Sequence, residues 1–327
     1  MQLGVIGLGS IGLRHLANLH LLFPDAALLA VSASAAANAT ASNTLPDYVT
    51  ASSMLQLLTA QPEFVIVASP ASLHQQHTEQ LLAAGIAVLV EKPLSATADQ
   101  THQLLATAQR FPESIVDVGY CLRYLPAAQQ LKTILETGHL GRIFSVIAQV
   151  GQYLPHWRPG KDYRQSVSAR QALGGGALLE LSHELDYLQW LFGSLTLRYA
   201  RNRKSGLLEL DVEDISELFL TTADNVSAFV HLDFLQQRAF RRCSIIAQHG
   251  RLEWDLVANT VHLYQHDKQQ VLYQDDSYDK NNMYLDMLRA FWQKVQQKNR
   301  CKAALNSAAS LIKLIEQAKT IAPVETL

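Results

Sequence analysis

The chain has 327 residues, 48% of them hydrophobic and 17% charged, with a formal net charge of −2. That length allows two domains with ample core, and that charge excludes a nucleic-acid surface as the molecule's main business. The three cysteines, Cys121, Cys243 and Cys301, are scattered and odd in number, which predicts free thiols in a reducing, cytoplasmic compartment.

Gln2 to Ile6 reads as a short buried strand. Gly7-Leu8-Gly9-Ser10-Ile11-Gly12 follows at once, with a helix predicted from Leu13 to Leu19. Strand, glycine turn and helix in this order are the context in which G-x-G-x-x-G means dinucleotide binding. Gly7 permits the turn, Gly9 lets a pyrophosphate approach the backbone, and Gly12 lets helix and strand pack closely. The helix amino end offers N–H groups and a partial positive charge to phosphates. Gly7, Gly9, Ser10, Ile11 and Gly12 are therefore candidate cofactor contacts. No basic segment precedes the first apolar run, and no run approaches the roughly 18 residues that span a bilayer, so neither an export signal nor a membrane partner is expected.

Ala27 to Ser32 reads as the second strand. A unit that selects NAD usually ends this strand with Asp or Glu, which grips the ribose hydroxyls and repels a 2′-phosphate. Ser32 stands there instead, and no acid follows before Asp47. No cation lies within residues 27–44; the nearest basic candidate is Arg14 on the first helix. The expectation is use of NAD or NADP with a mild lean to NADP. The Ala/Ser/Asn/Thr tract 33–44, which includes Ser34, reads as a surface loop or short helix.

Met54 to Leu58 looks helical, and Phe64 to Ala68 is an unbroken apolar run, as in a parallel strand covered on both faces. Ser69, Pro70 and the residues up to His74 form the turn at its carboxyl end, where open α/β sheets bind ligands. A helix from about 75 to 84 ends at Gly85. Ala87 to Val90 is the strand that brings Glu91-Lys92-Pro93 to the same sheet edge. A helix over 98–110 and a strand over 115–119 complete an alternating series, which implies a parallel, doubly wound sheet. Lys92, at a strand end beside the cofactor cleft, is a candidate for polarising a carbonyl or shuttling a proton. The alternative is a surface lysine paired with Glu91.

After Gly119 the pattern changes, which divides the chain into a dinucleotide-binding domain, 1–120, and a second domain, 121–327. A helix is predicted over 126–137 and a long strand over 142–151. Residues 152–176 form a long loop carrying Tyr153, His156, Trp157, Arg158, Lys161, Tyr163, Arg164 and Arg170 before Gly174-Gly175-Gly176. Loops of this length are usually functional or disordered. Arg158, Tyr163, Arg164 and Arg170 could hold an anionic sugar through phosphate or carboxylate; a solvated basic loop is the alternative.

An apolar helix is predicted over 177–192, with Leu178, Leu181, Leu185, Leu188 and Phe192 as its core stripe. Glu180, His183, Glu184 and Tyr187 share another face, which should meet water or a polar cavity. Glu180, one turn before His183, could orient its imidazole, making His183 a candidate general base. A structural His–carboxylate pair is the alternative. Strand-like runs at 195–201, 214–222, 226–234, 240–248, 251–256 and 260–265 predict a large mixed, mostly antiparallel sheet. Two helices, about 281–297 and 304–318, close the chain. The second domain is thus α+β. Too few helices remain to cover both sheet faces, so the open one is expected to form a homo-oligomer, dimer or tetramer, through Leu218, Leu220, Phe229, His231, Leu232 and Phe234. No thiolate pair or H-E-x-x-H spacing suggests a metal.

These residues resemble the Gfo/Idh/MocA oxidoreductases. Gly7–Gly12 is similar to that family's cofactor turn, Ala68 to His74 to its A-T-P-x-x-x-H segment, and Glu91-Lys92-Pro93 to its E-K-P motif. Gly119 to Pro126 resembles its G-[FY]-x-x-R-[FY]-x-P entry to the second domain. Gly174-Gly175-Gly176 with Glu180, His183 and Asp186 resembles its G-G-G-x-x-x-D-x-x-x-H-x-x-D helix, except that Glu180 replaces the Asp and stands one residue too close to His183. The helix sequence is most like that of members associated with bacterial surface-sugar synthesis.

The resemblance implies an amino-terminal Rossmann domain and a carboxyl-terminal α+β domain. It implies hydride transfer between a nicotinamide and a secondary alcohol or ketone of a sugar, nucleotide sugars and nonulosonic-acid precursors included. It places His74 at the nicotinamide end of the cleft, with a helix-capping turn histidine as the alternative. It makes Glu91 and Lys92 cofactor contacts. Arg123, Tyr124, Tyr153, Trp157, Arg158, Tyr163, Arg164 and Asp186 are candidate substrate contacts. Two rival functions are a cofactor-retaining lyase or epimerase and a non-enzymatic dinucleotide-binding regulator.

Overall fold

The computed structural model describes residues 1–33 and 45–326. The biased tract 33–44, Ser34 included, lies almost wholly outside the described residues. Two compact units emerge: Met1–Cys121 with Met283–Ile312, and Leu122–Asn282 with Lys313–Leu327. The boundary near 120 is thus joined by two further crossings late in the chain, after Asn282 and after Ile312.

In the first unit, strands β1 (Gln2–Ile6), β2 (Ala27–Val31), β3 (Val49–Ser52), β4 (Phe64–Val67), β5 (Ala87–Glu91) and β6 (Val116–Gly119) form one sheet in the order β3-β2-β1-β4-β5-β6. Every neighbouring pair is parallel. Helices α1 (Ser10–Leu22), α2 (Met54–Ala60), α3 (Ala71–Ala83) and α4 (Ala98–Arg110) connect the strands. The order reverses between β1 and β4, and ligands of such sheets bind at that switch point. β4 is buried along its whole length, which explains its unbroken apolar sequence.

Helix α8 (Asn282–Gln296) returns to this sheet. It buries Leu285, Met287, Leu288 and Phe291. Phe291 meets the Phe64 ring edge-on at 5.4 Å, and Trp292 meets Phe23 at 5.6 Å. Lys294 donates to the Asp117 carboxylate at 3.0 Å. The predicted helix is therefore correct, but it packs on the nucleotide-type sheet; its apolar stripe alone could not say which sheet it would cover.

In the second unit, α5 (Pro126–Glu136) starts on a proline, whose missing N–H costs nothing there. Strands β7 (Ile143–Gly151), β8 (Leu195–Lys204), β9 (Ile215–Thr222), β10 (Ser227–Asp233), β11 (Phe240–Ala247), β12 (Gly250–Asp255), β13 (Thr260–Gln265), β14 (Lys268–Gln274) and β15 (Glu325–Thr326) form one sheet, ordered β14-β13-β12-β11-β7-β10-β9-β8-β15. β7 with β10 and β8 with β15 are parallel; the remaining pairs are antiparallel. Helices α6 (Ala177–Glu180) and α7 (His183–Phe192) pack on β7, β9 and β10. Helix α9 (Ala303–Ile321) precedes β15.

Strand alternation corrects four of the six residues of the expected association face. Leu218, Leu220, Leu232 and Phe234 are buried. The opposite face carries Tyr199, Phe219, Phe229 and Ile147 in one cross-strand row, with Phe229 48% and Tyr199 56% exposed. The Phe219 and Phe229 rings stack at 4.9 Å. Short 3₁₀ turns, Leu154–His156, Tyr163–Gln165, Val167–Ala169 and Gln171–Leu173, order the long loop.

Candidate active site

The first unit supplies an open helix start. Gly7 has φ +102°, and a Cβ there would run into the Ala68 carbonyl, while a Cβ on Gly12 would strike the Gly7 carbonyl. The ideal Cβ position on Gly9, by contrast, has no heavy atom of a described residue within 4 Å. Helix α1 has no side-chain cap and no acid in its first turn, and Gly9 and Ser10 are exposed. Its first N–H groups have no partner within the helix, so the turn fits a pyrophosphate on all three counts. Ile11 is half-buried beside it, and half-buried Ser32 follows β2 directly. The Arg14 guanidinium lies over the Tyr284 ring, 4.8 Å from its centre.

At the ends of β4 and β5, the side chains divide between surface and support. His74 is 1% exposed. Its Nδ1 lies 2.8 Å from the Pro93 carbonyl and its Nε2 2.7 Å from that of Ser69. It ties the two turns together, and burial lowers its pKa against the pull of both carbonyls. A neutral imidazole donates to only one of them at a time. Half-buried Pro70 caps α3, and the Ser69 hydroxyl meets His77 Nδ1 at 3.0 Å.

Glu91 is buried as well. Its Oε1 lies 2.7 Å from His15 Nε2, and its Oε2 accepts the Lys92 main-chain N–H at 3.1 Å. Glu91 thus lies beneath the turn and fixes the backbone of half-buried Lys92. His15 was missed in the sequence. Its signal is spacing: with Gly12, Leu16, Asn18 and Leu19 it forms the buried stripe of α1, where a polar residue requires a partner.

In the second unit, Arg123 and Asp186 pair with each other. Nε donates to Oδ2 at 2.8 Å, and the guanidinium reaches Oδ1 at 2.6 Å. Burial pushes the Asp186 carboxyl up to about 6 despite the guanidinium beside it. Tyr124 is half-buried in the same 3₁₀ turn, Cys121–Tyr124.

The predicted helix 177–192 breaks at Leu181-Ser182, at the point where its spacing is one residue short. Of the polar face expected to meet water or a cavity, Glu184 and Tyr187 are packed on the sheet instead, while Glu180 and His183 are half-buried. Buried Glu184 takes two bonds from Arg241, at 2.7 and 2.9 Å, and Tyr187 packs edge-on against Trp254 at 5.2 Å. Glu180 accepts from the buried Ser168 hydroxyl at 3.2 Å, and half-buried His183 opens α7.

The loop candidates scatter. Trp157, Arg158 and Tyr163 line one cavity. Tyr153 packs on His156 at 4.9 Å instead, and Arg164 is tied to Asp162 at 2.9 Å and to Glu209 at 3.4 Å.

A doubly wound sheet with an open glycine turn at its switch point, followed by a mixed-sheet domain, defines a two-domain dinucleotide-dependent oxidoreductase. The family model for the Gfo/Idh/MocA oxidoreductases with NAD-binding Rossmann fold matches residues 1–120, and that for the Gfo/Idh/MocA carboxyl-terminal domain matches 128–253. The chain belongs to this family. Among curated relatives, the rhizopine catabolism protein MocA of Rhizobium meliloti is 27% identical over 237 residues, 71% of this chain and 70% of that protein. An inositol 2-dehydrogenase of Ralstonia nicotianae is 27% identical over 256 residues, 76% of this chain and 72% of its own length. Among solved structures, a 3-ketoreductase from Actinomadura kijaniata in complex with NADP and TDP-benzene superposes with a TM-score of 0.83 at 23% identity, covering 100% of this chain and 99% of its own.

Proposed function

We propose that this oxidoreductase interconverts a secondary alcohol and a ketone on a sugar or sugar derivative, with Lys92 and His183 handling the hydroxyl proton. The observation that carries the reading is the Lys92 turn: a buried carboxylate holds its main chain at the end of β5, in the same sheet as the uncapped start of α1. A bound nicotinamide supplies the hydride acceptor or donor. The Gly7–Gly12 turn holds the phosphates, and the Lys92 ammonium donates to the reacting oxygen or takes up its proton. Glu180, fixed by Ser168, is the positioning residue for the His183 imidazole.

Ser32 offers a hydroxyl where an acid would repel a 2′-phosphate, which supports use of both cofactors with a mild lean to NADP. The aromatic row of Tyr199, Phe219 and Phe229 supports self-association as a dimer or tetramer through that sheet face. Three free cysteines agree with a cytoplasmic setting. No helix among the described residues is long and apolar enough to cross a membrane.

The test is a screen of purified protein with NAD and NADP against free sugars, nucleotide sugars and nonulosonic-acid precursors, read by nicotinamide absorbance. Stoichiometric change of cofactor with substrate is expected. Substrate consumed without net cofactor change would mean a lyase or epimerase, and cofactor binding with no turnover across the panel would mean a regulator.

A further inference from the structure

The loop from Leu154 to Ser168 lines a cavity of about 380 Å³ within the second unit, a size in the range of small-molecule sites, roughly 300–1,000 Å³. Four basic side chains run along the loop and its continuation to Arg170, and they separate into two kinds. Arg164 donates to Asp162 at 2.9 Å, and Arg170 donates to the Arg164 carbonyl at 2.7 Å and to the Gln165 side chain at 3.2 Å. These two hold the loop to itself. Arg158 and Lys161, three residues apart, both line the cavity and make no side-chain hydrogen bond or ion pair with any described residue. The acid in the wall, Asp162, is already engaged by Arg164, which holds its carboxyl below the usual range. Two uncompensated positive charges therefore remain on the cavity wall.

The rest of the wall is preorganised. The Trp157 indole N–H donates to the Gln152 carbonyl at 3.1 Å, and its ring meets Phe234 edge-on at 5.3 Å. The Tyr163 hydroxyl accepts the Glu209 main-chain N–H at 3.1 Å. Both rings are thus anchored by their polar ends, and a ligand that stacks on them has little rotamer freedom left to remove. The Ser166 hydroxyl is buried with no hydrogen-bond partner among the described residues, an expensive state that a ligand oxygen would relieve. Ser168, in the same wall, donates to Glu180.

We propose that this cavity seats the nucleoside diphosphate portion of an activated sugar. The diphosphate lies between Arg158 and Lys161, the base stacks on Trp157 or Tyr163, and Ser166 bonds to a phosphoryl or ribose oxygen. Two cations match two phosphoryl charges, whereas a single carboxylate would leave one of them unpaired. The inference rests on the sugar-oxidoreductase reading only for the glycosyl end of the ligand.

The experiment is calorimetric titration of the full chain, saturated with NADP to block the dinucleotide site, with UDP, dTDP, inorganic pyrophosphate and uridine in separate arms. UDP or dTDP is expected to bind at least tenfold more tightly than pyrophosphate or uridine. Arg158→Ala, Lys161→Ala and Trp157→Leu should each weaken that binding about tenfold, Lys161→Arg should restore it, and Lys132→Ala, a cation outside the cavity, should leave it unchanged. No binding of either diphosphate, equal binding of pyrophosphate, or indifference to the Arg158 and Lys161 changes overturns the proposal. Arg158 and Lys161 are exposed, so their variants keep the fold. Diphosphate binding without any turnover would sink the hydride-transfer reading and leave this one standing. Turnover of free sugars that ignores Arg158→Ala would do the reverse.

Discussion

Two glycine-rich turns lead into helices in this molecule, and they end differently. At Gly7–Gly12, among the described residues, the start of α1 carries neither a capping side chain nor an acid, and nothing lies within 4 Å of where a Cβ on Gly9 would stand. At Gly174–Gly176 the start of α6 is plugged from within. Buried Glu213 accepts the Leu178 N–H at 3.1 Å, and a Cβ on Gly176 would lie 2.5 Å from its Oε1. Both turns use glycine to bring another group close to backbone. One reserves the place for a ligand, and the other fills it with a residue of the same chain. A glycine turn before a helix is an anion site only when the protein has not already supplied the anion.

The largest expected effect tests what the open turn serves. Lys92→Met keeps length and removes charge, so kcat should fall by about 10²–10⁴-fold, the usual worth of a general acid–base group, with the cofactor Kd unchanged. Near-parental turnover would reduce Lys92 to a structural lysine.

Next comes the filled kind of site. Arg123→Ala leaves Asp186 buried without its partner and should cost about 3–5 kcal/mol of stability by denaturant unfolding. The same pair gives a pH signature. Burial raises the Asp186 carboxyl from 3.8 to about 6, so the folded state binds this proton more tightly than the unfolded one. Stability from this group is full below the unfolded pKa and is lost as pH rises through 6. Between pH 4 and pH 7 the parent should lose about 2 kcal/mol relative to Asp186→Asn; parallel stability–pH curves would contradict the assignment.

A smaller effect separates the two turns directly. Gly9→Val should weaken dinucleotide binding by at least about tenfold, or 1.4 kcal/mol, and leave Tm in place. Gly176→Ala, at φ +106° and against Glu213, should lower Tm instead, with a cost of about 1–3 kcal/mol. A Gly9 variant that binds cofactor normally would refute the reading of the opening turn.

The last expected effect, comparable in size, concerns preference. Ser32→Asp should move the NAD-to-NADP ratio of dissociation constants toward NAD by about 1–3 kcal/mol, the scale of one charged hydrogen bond gained or opposed. An unchanged ratio would show that Ser32 does not face the ribose.

The amino-acid sequence by itself determined the local features: the strand-turn-helix at 2–22, the alternation that makes a parallel sheet, the strand periodicity of the second domain and the position of Lys92 at a strand end. Each depends on neighbours a few residues away, and backbone sterics and hydrophobic period report these directly. Only the tertiary structure decided which charges are spent. Glu91 lies 76 residues from His15, Arg123 63 from Asp186 and Glu184 57 from Arg241, and no local pattern encodes such pairings. It also decided that Leu218 turns inward and Phe219 outward, and that α8 returns to the first unit. A polar residue's role depends on whether the fold leaves its charge unpaired. Arg158 and Arg164 look alike in one loop, yet the fold gives Arg164 two carboxylates and gives Arg158, on the cavity wall, none among the described residues.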